Sequence, residues 1–211
     1  MGFSGFSDEA FEFYEGLSAD NTKTYWTAHK ADYEQYVREP MIALFEALEP
    51  EFGAARLFRP YRDVRFSKDK SPYKTQQGGH TERGYYCAID ADGLMAAAGM
   101  YAPDPEQLRR YRDAVTAAGS GPALAAVVDR LRAAGYQLAG DRLKTRPRGV
   151  PADHPRLDLL RHRSLYARAG WPPDSWLHTP EAVTRVRDAW RDMRPLMEWL
   201  TEHVGQDAVV G

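Results

Sequence analysis

A sixteen-residue segment, RPYRDVRFSKDKSPYK (59–74), holds the side chains of this sequence that are best suited to bind an anion. This first basic block contains six Lys or Arg and two Asp, a formal charge of +4, whereas the whole 211-residue chain carries −2. Arginine binds carboxylates and phosphates through paired hydrogen bonds, and lysine adds a point charge. The candidate ligand-binding residues of the block are Arg62, Arg65, Lys68 and Lys74.

A second concentration of arginine, RPRGVPADHPRLDLLRHR (146–163), forms the second basic block. We expect Arg148 and Arg161 from this block to complete one anion site with the first. His154 is a candidate for acid–base catalysis because histidine titrates near neutral pH, and Asp63 of the first block is another. Alternatively, Asp153 caps a short helix and His154 is a surface residue.

Two structural interpretations of the first basic block stay open beside the anion site. The cations can protect a solvated strand edge from aggregation, or the arginines can pair with Asp inside the protein. A regular strand over 61–67 places Arg62 on the same face as Val64 and Phe66. If Arg62 forms a buried pair there, Arg62→Ala is expected to cost about 3–5 kcal/mol.

Start and stop signals for helices occur near both ends of the chain. A helix begins after Ser7, and a second begins near Thr22 and is interrupted by Pro40. Asp104 and Gln107 form a capping box for a later helix. The final helix starts after Thr179 and places apolar residues on its inner stripe: Val183, Val186, Trp190, Met193, Met197 and Leu200.

Alternating and apolar runs between these helices predict a largely antiparallel sheet. We expect its strands around residues 57–67, 85–91 and 94–101, with a hairpin turn at Asp92-Gly93. Helices first, then hairpins and mixed elements, indicate an α+β fold. The sequence predicts one globular domain over residues 1–204 and a flexible tail over residues 205–211.

Composition excludes several classes of function. Cys87 is the only cysteine, so an intrachain disulfide and a thiolate-rich metal site are excluded. The histidines lack metal-ligand spacing, and QQGGH (76–80) fits no phosphate-binding pattern and is interpreted as a mobile loop, so neither a metal nor a cofactor is expected. The slightly acidic balance argues against nucleic acid. The longest apolar stretch, 94–102, is too short for a membrane span, and we expect a soluble cytoplasmic protein.

RDVRFSKDKSPYK (62–74), followed by YYCAI and GMYAP, resembles the signature of a bacterial and fungal family of conserved proteins, domain-of-unknown-function family 2461. Residues 143–166 resemble the family's second block, and DNTKTYW (20–26) is similar to its Asn-rich, Trp-containing turn. A second Asn and an Arg often found in that turn are absent here. The resemblance runs from about residue 6 to residue 200 and implies a shared fold without implying a reaction.

Two functions of different classes follow from these residues. The first is a small-molecule enzyme that holds an anionic substrate with the Arg/Lys cluster and uses His154 or Asp63 as the acid or base. The alternative is a noncatalytic binding module for a phosphorylated, acidic or nucleic-acid partner. Nothing in the sequence indicates an oligomeric state.

Overall fold

The computed structural model describes residues 2–65 and 68–205, and these contain seven α-helices and six β-strands. The helices are α1 (Asp8–Ala19), α2 (Lys23–Asp32), α3 (Glu39–Phe52), α4 (Pro105–Thr116), α5 (Ser120–Ala133), α6 (Leu157–Leu160) and α7 (Glu181–His203). The strands are β1 (Ala55–Leu57), β2 (Gln76–Thr81), β3 (Tyr85–Asp90), β4 (Gly93–Met100), β5 (Gln137–Ala139) and β6 (Leu165–Trp171). A π-helix (Tyr33–Arg38) joins α2 to α3, and a 3₁₀-helix (Ser175–His178) precedes α7.

The six strands form one sheet in the order β1-β2-β3-β4-β6-β5. β2 pairs antiparallel with both β1 and β3, and β5 pairs antiparallel with β6. Helices lie at both ends of the chain, so the α+β class and the antiparallel sheet are confirmed. β3 and β4 also confirm the hairpin, whose turn ends at Gly93 with a φ of +124° that favours glycine.

Two compact units divide the described residues. The first contains the residues up to Glu82 together with Tyr86–Ala96 and Gly170–Asp188. The second contains Arg83–Tyr85, Ala97–Ala169 and the residues from Ala189 onward. The predicted tail falls almost entirely on residues 206–211, which lie outside the described residues.

The helical core of the first unit continues past Pro40, so the predicted interruption there is wrong. Residues 23–52 are helical throughout, and a π-helix precedes the proline. At its end the Glu39 N–H donates to the carbonyl of Glu34, five residues back. Pro40 lies in the first turn of α3, where its missing N–H and fixed φ are tolerated. Trp26, Tyr33 and Val37 are buried along this continuous helix.

The strands of the first unit differ from the sequence prediction in two places. The strand predicted over 57–67 is wrong for residues 58–65, where the structure has only an isolated bridge from Tyr61 to Tyr73, and residues 66 and 67 lie outside the described residues. The mobile loop predicted at QQGGH is wrong as well, because these residues belong to β2. A Cβ on Gly78 would lie 2.5 Å from the Tyr86 hydroxyl, so glycine lets that aromatic side chain cover the strand.

The second unit matches its sequence prediction more closely. Asp104 accepts from the Gln107 N–H and the Gln107 side chain accepts from the Asp104 N–H, so the capping box is confirmed. Of the six apolar residues predicted for the inner stripe of the final helix, Val183 and Val186 belong to the first unit and the other four to the second, and all six are buried.

Candidate anion-binding site

The local fold of the first basic block is set by the Tyr61–Tyr73 bridge. The Arg62 N–H donates to the Pro72 carbonyl (2.9 Å), and the Lys74 N–H donates to the Pro60 carbonyl (2.8 Å). These bonds flank the tyrosines, which therefore form a non-hydrogen-bonded antiparallel pair with closely spaced side chains. Their ring centroids lie 5.5 Å apart. The bridge thus holds the two ends of the block side by side.

Trp26 and Asn21 attach this bridge to α2 and the turn before it. The Tyr73 ring stacks on Trp26 with centroids 4.5 Å apart and planes 10° apart, and both residues are buried. The Asn21 amide donates to the Tyr73 carbonyl (3.0 Å), and its Oδ1 accepts from the Tyr73 N–H (3.1 Å). Asn21 therefore satisfies both backbone groups of a residue 52 positions away. The block is anchored at Tyr73, while Tyr61 is 57% exposed.

Lys74 lies close to two arginines, Arg59 and Arg62. Extended backbone alternates its side chains, so residues 62 and 74 face away from the side that Tyr61 and Tyr73 share. Lys74 Nζ lies 5.0 Å from the centroid of the Phe58 ring. Partial burial lowers the pKa of Lys74, and repulsion from Arg59 and Arg62 lowers it further. We call Arg59, Arg62 and Lys74 the cation triad.

The triad holds more positive charge than its ion pairing neutralises. Arg62 pairs with Asp69, and their side chains are 28% and 53% exposed. Asp69 also accepts hydrogen bonds from the Ser71 N–H and hydroxyl. These two bonds lower the pKa of Asp69 more than the neighbouring Arg62 does. Among the residues that the structure describes, Arg59 and Lys74 form no ion pair. The described ion pairing of the triad is thus limited to Arg62 with Asp69.

The other candidates of the first basic block lie in more exposed positions. Arg65 forms a two-pronged pair with Asp63, with Nη2 2.7 Å from Oδ2 and Nε 3.0 Å from Oδ1. The hydrogen bonds from Arg65 lower the pKa of Asp63, so Asp63 is a carboxylate at neutral pH. Lys68 is exposed. Lys70, which the sequence analysis did not select, donates to the Val64 carbonyl at 2.9 Å.

The candidates of the second basic block all lie in the second unit. Arg161 donates to the carbonyls of Leu143 (2.9 Å) and Lys144 (2.8 Å). Arg148 is exposed in a turn. Nδ1 of His154 accepts from the Arg156 N–H at 3.1 Å, so a neutral His154 carries its proton on Nε2. The described contacts of Arg161 and His154 are thus with backbone groups.

Three residues of the first unit were missed as site residues by the sequence analysis: Asn21, Phe58 and Arg59. Arg59 is part of the first basic block, so the charge of that block could have identified it as a candidate. Asn21 lies in the turn that the family resemblance singles out, but its contact with Tyr73 is too distant in sequence to predict. Within residues 2–65 and 68–205, no group of three His, Cys, Asp or Glu side chains can hold a metal ion. None of the helices described there has the length and apolar character to cross a bilayer.

Comparison with known proteins finds a matching family. The model of a family described as "Conserved hypothetical protein (DUF2461)" matches residues 9–199. No curated protein and no solved structure matched the chain. The matched range contains Asn21, the cation triad and the second basic block.

Proposed function

The chain belongs to the DUF2461 family, and we propose that its cation triad binds a small molecule that carries a carboxylate or a phosphate. The observation that carries this proposal is the bridge that brings Arg62 and Lys74 together, close to Arg59, while the described ion pairing of these three cations is limited to Arg62 with Asp69. Burial, and then repulsion from Arg59 and Arg62, lowers the pKa of Lys74 in keeping with this imbalance. An anion placed among three cations relieves this repulsion and replaces the water that Lys74 has lost.

The size of the triad favours a small ligand over a polyanion. Proteins that bind nucleic acids contact many phosphates and usually do so through an extended basic surface. Here the net charge is −2, and Arg65, the next arginine of the block, holds both carboxylate oxygens of Asp63, whereas Arg62 shares Asp69 with Ser71. Arg59, Arg62 and Lys74 therefore provide for one anionic group.

The proposal includes catalysis if an acid–base group reaches the bound molecule. Asp63 is a charged carboxylate in the same block and can accept a proton once its pair with Arg65 opens. A noncatalytic binding module is the second candidate function, and the exposed, preformed Asp63–Arg65 pair favours it because the carboxylate is already engaged.

Titration of the protein with sodium pyruvate and with inorganic phosphate, followed by amide chemical shifts, tests the anion site. We expect shifts at residues 58, 59, 61, 62 and 74, with an affinity that falls as salt is added. Lys74→Gln should weaken binding by about tenfold, the factor that corresponds to the loss of one charge-assisted hydrogen bond.

Lys70→Gln is the matched control, since it removes the same charge from the same block at a side chain bonded to the Val64 carbonyl. Its affinity should stay within about twofold of wild type. Absence of binding, or equal weakening in both variants, would overturn the anion site.

A further inference from the structure

The ammonium group of Lys74 differs from the neighbouring lysines in its surroundings. Its Nζ lies over the Phe58 ring, and in the part of the chain that the structure describes it has neither a hydrogen-bond acceptor nor an ion-pair partner. Lys70 donates to the Val64 carbonyl, and Lys68 is exposed to water. The Lys74 N–H donates to the Pro60 carbonyl and the Arg62 N–H donates to the Pro72 carbonyl, so Lys74 is a partly buried amine that lies across the bridge from Arg62 and close to Arg59.

We propose that Lys74 forms a Schiff base with a small oxo acid, whose carboxylate is bound by Arg59 and Arg62. This inference rests on the proposed anion site and assigns its ligand class, a carbonyl compound with an anionic group next to the carbonyl. The two arginines position the carboxylate, and the Lys74 amine then lies beside the carbonyl carbon.

The surroundings of Lys74 favour the reactive form of the amine. Only the unprotonated amine attacks a carbonyl, and a lysine becomes a nucleophile when burial or neighbouring cations disfavour its charged form. Both causes act here, because partial burial lowers the pKa of Lys74 first and Arg59 and Arg62 add to it. Neutralisation of the arginines by the substrate carboxylate would raise this pKa again, which assists protonation of the nitrogen after attack.

The proposed step balances without a further reactant. The lone pair of Nζ attacks the carbonyl carbon, and the C–N bond forms while the carbonyl π bond breaks. A proton moves from nitrogen to oxygen, and uptake of one proton from solvent lets the oxygen leave as water. The product is a protonated imine between Lys74 and the oxo acid, and hydrolysis reverses the step.

Reductive trapping at neutral pH tests the proposal. The full chain is incubated with pyruvate and sodium cyanoborohydride, which converts the imine to a stable secondary amine, and peptides are quantified by mass spectrometry. We expect carboxyethyl labelling of Lys74 to exceed that of Lys68 and Lys70 by about tenfold or more, because the bound carboxylate raises the effective concentration of the carbonyl. Acetone, a ketone without the carboxylate, should not show this preference.

Two variants separate this inference from the anion site beneath it. Lys74→Arg keeps the positive charge but lacks a primary amine, so it should bind pyruvate and lose the preferred label. Arg59→Gln should keep Lys74 and reduce its labelling together with pyruvate affinity. Equal labelling of Lys68, Lys70 and Lys74 in a wild-type protein that binds pyruvate overturns the Schiff base and leaves the anion site standing. Absence of pyruvate and phosphate binding overturns both.

Discussion

The two basic blocks use the same residue type in different ways. In the second block, guanidinium groups bond mainly to backbone carbonyls: Arg161 to Leu143 and Lys144, and Arg156 to Val115 and Thr116. In the first block, the described partners of Arg62 and Arg65 include the exposed carboxylates Asp69 and Asp63, and Arg59 and Lys74 form no described ion pair.

The partner of an arginine therefore indicates its role better than its position in a charge-rich segment. A guanidinium that satisfies the carbonyls at a helix end holds two elements together, and its loss leaves those carbonyls without donors. A guanidinium in an exposed pair contributes little to stability and can exchange its partner for a ligand. We expect the second basic block to be chiefly structural and the first to be available for binding.

The largest effect is expected at Arg156, where the side chain caps the C-terminal end of α4. Its Nε lies 2.7 Å from the Val115 carbonyl and its Nη2 lies 3.1 Å from the Thr116 carbonyl. Arg156→Ala should lower the free energy of unfolding by about 2–3 kcal/mol, measured by urea denaturation. Arg163→Ala is the control, since its pair with Asp141 is exposed and should contribute less than about 1 kcal/mol. If Arg156→Ala and Arg163→Ala lower the free energy of unfolding equally, the structural role assigned to the second basic block is wrong.

Asn21 should have the next largest effect because it anchors the first basic block through two hydrogen bonds to Tyr73. Asn21→Ala is expected to cost about 1–2 kcal/mol in urea denaturation. Asn21→Asp keeps an acceptor for the Tyr73 N–H and loses the donor to its carbonyl, so its cost should be intermediate. If Asn21→Ala leaves the free energy of unfolding unchanged, the two hydrogen bonds do not anchor Tyr73, and its stacking on Trp26 is sufficient.

The Arg62–Asp69 pair should contribute less to the stability of the protein than a fully buried ion pair does. Its side chain is 28% exposed and that of Asp69 is 53% exposed, so the pair is screened by water. Arg62→Ala should cost about 1 kcal/mol or less, in place of the larger value expected for a buried pair on a strand. The same variant should lose phosphate affinity in the amide-shift titration. If Arg62→Ala lowers the free energy of unfolding by several kcal/mol and leaves phosphate affinity unchanged, Arg62 is structural and the first block is not the binding one.

The smallest expected change is in the pH dependence of stability, through His162 of the second block. His162 is buried, and its Nδ1 lies 2.9 Å from the Ser164 carbonyl. Burial lowers the pKa of His162 below its usual 6.5, and the nearby Arg142 lowers it further. The unfolded chain then binds more protons, so stability should fall as pH drops below about 6.5 towards the folded-state pKa. Urea midpoints between pH 8 and 5 measure this slope, which should flatten in His162→Asn.

Local patterns predicted the elements whose signals lie close together in sequence. Asp104 and Gln107 predict their helix because a capping box spans four residues, and the stripe around Trp190 predicts α7 through its helical spacing. β2 was missed because Gly78 and Gly79 carry no side chain to show alternation, and they are buried by Tyr86 and Phe45 from other elements. Likewise, the helix passes Pro40 because a π-helix precedes it, which residue propensities do not reveal.

The sequence predicted most residues of the candidate site but not which side chains would pair with one another. The charge of the first block pointed to Arg62 and Lys74, and the structure adds Arg59 beside them. Nothing local showed that Asp63 and Asp69 would pair with Arg65 and Arg62, or that Asn21 would bond to Tyr73. These pairings depend on the path of the chain after β1, where the expected strand does not form.

The most direct test of the anion site compares two triple variants of the first basic block that lose the same charge. Arg59→Gln/Arg62→Gln/Lys74→Gln removes the triad, and Arg65→Gln/Lys68→Gln/Lys70→Gln removes the other three cations. Isothermal titration calorimetry with phosphate, at one ionic strength, should show binding to wild type and to the second variant and none to the first. Equal loss in both variants would show that net charge attracts the anion without a defined site, and would contradict the role assigned to Arg59, Arg62 and Lys74.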